Sequence, residues 1–155
     1  MLTDFTDIAQ MMRQVFEEAR QDIITRHEQA GQVASGKTRD GIKVEVTEEM
    51  DGVTATMYGR PYFAALETGS KPWTKQYQHP PKPFVETIAE WMKDKGITGV
   101  SAYLVARKIM LEGSSLYRSG GRDDIFTPAM SEVEQKINEK ISSILDSITT
   151  KTLLR

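Results

Sequence analysis

The chain of 155 residues contains no cysteine and only two histidines, His27 and His79. Without cysteine there are no disulfides and no thiolate chemistry. A histidine-based catalytic or metal site needs partners at defined spacing, and neither histidine has them, so a surface role is expected for both. No apolar run approaches the ~18–20 residues that a membrane span requires. The start, Met1-Leu2-Thr3-Asp4, lacks a basic region followed by an apolar one, so no signal peptide is expected. Twenty basic against twenty-two acidic residues give a formal net charge of −2, which supplies no global field for nucleic acid. Neither a Gly-x-Ser-x-Gly elbow nor a paired-carboxylate motif occurs, and no enzyme, cofactor or metal is expected.

What is present is a pattern of unlike elements. Phe5, Ile8, Met12, Val15, Ala19 and Ile23 recur at spacings of three and four, which predicts a helix over 5–30 with Asp4 or Thr6 as its cap and Gly31 as its stop. Residues 42–48 and 53–58 alternate with period two. Glu49-Met50-Asp51-Gly52 joins them as a hairpin whose apolar face needs the stripe of the first helix as cover. A proline-bearing segment, 70–83, has no regular form. Helices follow over 84–95 and 101–112, stopped by Gly96 and Gly113, and together they make a helical hairpin. After a break at Ser119-Gly120-Gly121, Thr127 as cap and Pro128 at the first position open a last helix to about residue 150. Its stripe of Met130, Val133, Ile137, Ile141, Ile144 and Ile148 is too short for a coiled coil and reads as a core stripe. This order predicts one α+β domain over 1–155: long N- and C-terminal helices on a small antiparallel sheet, with a hairpin insert over 80–113. Two strands alone are marginal, so further short strands are expected near 67–74 and 123–126, or from a neighbouring subunit.

Gly31-Gln32-Val33-Ala34-Ser35-Gly36-Lys37-Thr38 matches the P-loop pattern letter for letter. That pattern works when a strand delivers the loop and a helix leaves it, so that loop amides and the helix dipole hold phosphate. Here a helix precedes and a strand follows, which favours a polar turn over a nucleotide site at Lys37 and Thr38.

The most informative segment is Gly59-Arg60-Pro61-Tyr62-Phe63-Ala64-Ala65-Leu66-Glu67-Thr68-Gly69-Ser70. It reads as a short helical turn with Pro61 at its first position, Gly69 as its exit and Glu67 at the rim. A structural carboxylate that bonds loop amides is the favoured role of Glu67 over a catalytic one. This segment resembles the aromatic–Glu–Gly–Thr/Ser segment of the head–tail joining and tail-completion (neck) proteins of long-tailed bacteriophages and prophages. Ser35-Gly36-Lys37-Thr38-Arg39-Asp40-Gly41-Ile42 is similar to a segment those proteins carry between first helix and first strand, with Thr38 where Leu is usual and Gly41 where Ser is usual. Asp124-Ile125-Phe126-Thr127-Pro128-Ala129-Met130 resembles the one that opens their last helix. The three occur in the family's order.

The resemblance implies a structural virion protein, assembled in the host cytoplasm, that sits in the neck or tail. It would form a closed ring, often six-fold, dock on head-connector and on tail-tube or tail-terminator proteins, and let DNA pass. Tyr62, Phe63, Glu67, Trp73 and Tyr77, with the rest of the 70–82 loop, are the candidate interface residues, since aromatic residues are favoured anchors. Arg60, Lys71, Lys75 and Lys82 among these aromatics also allow a small module that binds single-stranded nucleic acid through the 60–82 loop. The acidic balance of the chain favours the interface.

Overall fold

The computed structural model describes residues 5–61 and 63–153, with the backbone alone for 147–153. The architecture is α+β. Helix α1 (Phe5–Gln29) leads through the single turn α2 (Lys37–Asp40) into an antiparallel hairpin of β1 (Lys43–Glu49) and β2 (Gly52–Tyr58). The turn α3 (Ala65–Thr68) follows, then α4 (Lys82–Asp94), α5 (Ala102–Glu112), the turn α6 (Ser115–Arg118) and α7 (Thr127–Leu153).

The register pairs Val44 with Met57 and Val46 with Ala55. This puts the apolar members of both strands on one face, which α1 covers. Val15, Ala19 and Ile23 of α1 are buried there, as their spacing predicts, and Ile42 is buried one residue before β1. Helix α7 runs antiparallel to α1: Lys136 reaches Glu18 at 3.0 Å, and Arg26 lies toward Asp124. Ile125, Ala129 and Val133 complete this main core. The stripe that faces inward is therefore 125–129–133–137, a step of four. Met130 is turned outward, and Ile148 lies among the residues whose side chains are not described.

The helical hairpin has its own small cluster of Ile88, Met92 and Ala106, joined by Phe84, Val105 and Ile109. Its first helix starts at Lys82, two residues before the expected place, with Pro83 in its first turn where a missing N–H costs nothing.

Three expectations are corrected, and one short element is added. No strand forms at 67–74 or 123–126, and the sheet has two strands among the described residues. Residues 69–74 instead bond singly to the end of α5 and the residues after it: Ser114 N donates to Ser70 O at 2.8 Å and Trp73 N to Met110 O at 2.9 Å. The break at 119–121 is preceded by α6, capped by Ser114 Oγ, which accepts from Tyr117 N at 3.2 Å. Thr6 lies inside α1 and its hydroxyl donates to Glu48, so it is no cap; Asp4 lies outside the described residues. Finally, α3 begins at Ala65, not at Pro61, because Pro61 belongs to a separate turn in which Phe63 N donates to Arg60 O.

Candidate assembly site

Glu67 sits near the end of a four-residue helix and is only 4% exposed, not at the rim. A buried carboxylate is costly unless hydrogen-bonded. Four donors meet it: the amides of Ile125, Phe126 and Thr127 reach Oε1 at 2.8, 2.7 and 2.9 Å, and the Thr127 hydroxyl reaches Oε2 at 2.6 Å. Helix starts leave their first amides without partners and carry a partial positive charge. Glu67 answers both, so the cap of α7 comes from a side chain 60 residues away, and Thr127 is a donor to it, not the cap. Burial pushes the carboxyl up, but the Thr127 hydroxyl and the three amides outweigh it and hold Glu67 below its ordinary value. The favoured role of Glu67, a carboxylate that bonds loop amides, is the one observed.

The backbone around Glu67 is clamped as tightly. Arg122 N donates to Glu67 O at 2.8 Å. Gly121 lies against that same carbonyl, where a Cβ would come within 2.8 Å at a φ of +80°. Gly69 has a φ of +70° and a ψ of 178°, a region that essentially only glycine adopts. A Cβ there would press on the Tyr117 backbone and stand 2.6 Å from Ser114 Oγ.

His27 also departs from the expected surface role. It continues the inward stripe of α1 four residues after Ile23 and is 2% exposed. Its Nδ1 is 3.1 Å from Gln32 Oε1, and Gln32 Nε2 donates to Leu66 O at 2.7 Å. With Gln32 as acceptor, Nδ1 carries the proton. This relay fixes the residue before Glu67 to the end of α1. His79 is exposed and pairs with the Tyr103 hydroxyl at 2.6 Å.

The five candidate interface residues divide. Phe63 and Glu67 point inward: Phe63 packs on Phe126 with ring centroids 5.4 Å apart, beside the main core. Trp73 and Tyr77 lie with Phe84 in a second group, at centroid distances of 4.8 Å for Trp73–Phe84 and 6.4 Å for Trp73–Tyr77. Tyr77 is the exposed member, with Lys75 Nζ 5.3 Å from its ring centre. Tyr62 lies outside the described residues. The glycine loop leaves α1 and passes at Lys37 into the one-turn α2, where only a polar turn is expected, before β1 begins; a helix, not a strand, still delivers the loop.

No clustered metal-ligating group occurs among the described residues, and none of the described helices is long and apolar enough to cross a membrane. Compared with protein-family models, curated proteins and solved structures, the chain matches none.

Sequence reasoning missed the Ser70–Ser114 pair, the Gln32 relay and the tie from Lys95 Nζ to Gly31 O. The first had a local signal in Ser114, a good cap residue three before Tyr117. The others join distant segments through single side chains and leave no periodic trace.

Proposed function

We propose that this chain is a structural virion protein of a phage or prophage, a neck or tail-completion subunit that joins the DNA-filled head to the tail. It acts as a closed ring docked between head-connector and tail-tube or tail-terminator proteins, with DNA only in passage. The observation that carries the reading is the convergence of the three segments on which the resemblance rests. Ile42 from the first and Ile125 from the third share one core cluster, with Phe63 and Leu66 from the second packed on it. Glu67 of the second then holds the amides of the third. Segments that are degenerate singly thus serve one physical purpose, the seating of α7 on the body. Tyr77, the exposed aromatic among the described members of the candidate set, supplies the outward contact of this reading.

The test is electron microscopy of particles from a phage or induced prophage that carries an early stop in this gene. Separate filled heads and free tails, restored to joined particles by the protein in trans, are the expected result. Joined particles without the protein would overturn the proposal.

A further inference from the structure

Acidic and basic residues are segregated along the chain. Between Lys43 and Arg60 the β1–β2 hairpin carries Glu45, Glu48, Glu49 and Asp51 and no basic residue. Between Glu67 and Glu86 the chain carries Lys71, Lys75 and Lys82 and no carboxylate. Between Asp94 and Glu112 it carries Lys95, Arg107 and Lys108 and again no carboxylate. The net charge of −2 conceals this separation.

The acidic stretch ends in an apolar point. Met50 stands at the turn between β1 and β2, fully exposed, with Glu48, Glu49 and Asp51 around it. Glu48 accepts from the Thr6 hydroxyl at 3.3 Å.

The basic stretches come together as one face. The 70–82 loop lies along α5: Trp73 N donates to Met110 O at 2.9 Å, Gln76 Nε2 reaches Leu111 O at 3.5 Å, and His79 pairs with the Tyr103 hydroxyl at 2.6 Å. Leu104, Arg107 and Leu111 follow at spacings of three and four on the outer side of α5. Leu104 and Leu111 are 58% and 37% exposed there. Tyr77 and Lys75 stand on the adjoining loop. Glu112, the carboxylate next to Leu111 in sequence, faces Arg118 at 3.5 Å. Among the described residues no ion pair engages Glu49, Asp51, Lys75 or Arg107.

The face is cationic and apolar together. A phosphate backbone would answer the cations and leave Leu104 and Leu111 in water. An acidic protein segment with an apolar side chain at its centre answers both, and the β1–β2 turn is such a segment. Met, Tyr and Arg are also residues that interfaces favour.

The two surfaces lie at opposite ends of the molecule. Glu48 is bonded to Thr6, in the first turn of α1. The helical hairpin is tied through Lys95 to Gly31 O, just past the end of α1. The 25 residues of α1 put about 37 Å between these points. Surfaces that fit each other from opposite ends join copies head to tail, and such heterologous contacts close into rings when the rotation allows.

We infer that the acidic β1–β2 turn of one copy, with Met50 at its tip, docks on the basic face that Lys75, Tyr77, Leu104, Arg107 and Leu111 form on the next copy. The inference rests on the ring proposed above and supplies its contact. It also gives the helical hairpin a purpose, since α5 carries most of the face.

Two charge reversals test it. Glu49→Lys with Asp51→Lys makes the turn basic, and Lys75→Glu with Arg107→Glu makes the face acidic. All four positions are exposed. Each variant alone sets like charges across the contact. Light scattering after size exclusion should find the wild type larger than a dimer and each variant monomeric, with circular dichroism unchanged. An equimolar mixture of the two variants restores opposite charges at every contact and should return assemblies of the wild-type size, a rescue that misfolding cannot produce. A mixture that stays monomeric, or variants that keep the wild-type mass, would overturn the docking while leaving a ring by other faces open. A wild type that is monomeric at its highest soluble concentration would overturn it too. Binding of a single-stranded oligonucleotide by that monomer, lost in the face variant, would then assign the face to nucleic acid. The neck proposal is judged separately, on whether particles lacking the protein are joined.

Discussion

Glu67 binds Thr127 twice, through the backbone N–H to Oε1 at 2.9 Å and through the hydroxyl to Oε2 at 2.6 Å. One carboxylate thereby fixes where α7 starts and which residues it turns toward α1. The account predicts that Glu67→Ala destabilises the fold by about 3–5 kcal/mol, since it leaves buried donors without a partner. Glu67→Gln should also destabilise, because the amide group turns a donor toward donors. Denaturant midpoints measure both. A loss under about 1 kcal/mol for the alanine variant, the size of a single ordinary hydrogen bond, would contradict this account of Glu67.

The pH dependence has a definite sign. The folded carboxyl of Glu67 is lowered relative to its ordinary value. An unfolded Glu titrates near ~4.3. The stabilisation is therefore complete above that value and is lost as the pH falls through it toward the folded pKa. Thermal melts from pH 6 downward should show the wild type losing stability more steeply below about pH 4.3 than Glu67→Gln does.

Gly69→Ala should cost roughly 2–4 kcal/mol, from a backbone region closed to alanine and from the approach of Ser114 and Tyr117. Gly31, with open space around it at a φ of +67°, is the control: the same substitution there pays for the backbone alone. Equal losses at the two glycines would show that the contact with α6 carries no weight.

Most of the scaffold was legible. The stripe of α1 and the alternation of 42–48 and 53–58 repeat a buried face several times, so single exceptions do not hide it. The α4–α5 hairpin was legible for the same reason, with glycines at its ends. The helix cap was not, because Glu67 and Thr127 share no spacing, only a meeting point. A strand is expected near 123–126 because two strands alone are marginal, but the amides of Ile125 and Phe126 go to one carboxylate instead of a ladder. His27 was misread although the signal was there: it stands four residues from Ile23, on the buried side of the same helix. Of the candidate interface aromatics, Phe63 is turned onto Phe126, distant in sequence, and Trp73 onto Phe84, and no periodic spacing announces either contact.

The hairpin holds its own cluster, apart from the main core. Removal of 80–113 should therefore leave a folded body, with the α1–sheet–α7 core intact by circular dichroism, that fails to join particles. A deletion that unfolds the protein would show that the hairpin belongs to the core.

The most direct test of the joining role is reconstitution. Purified protein is added to a lysate that holds filled heads and free tails from a phage with an early stop in this gene, and infectious particles are counted. The account predicts a titre that rises with added protein until the heads or tails are consumed. An unchanged titre with folded protein, where supply of the gene in trans also fails to restore joining, would contradict it.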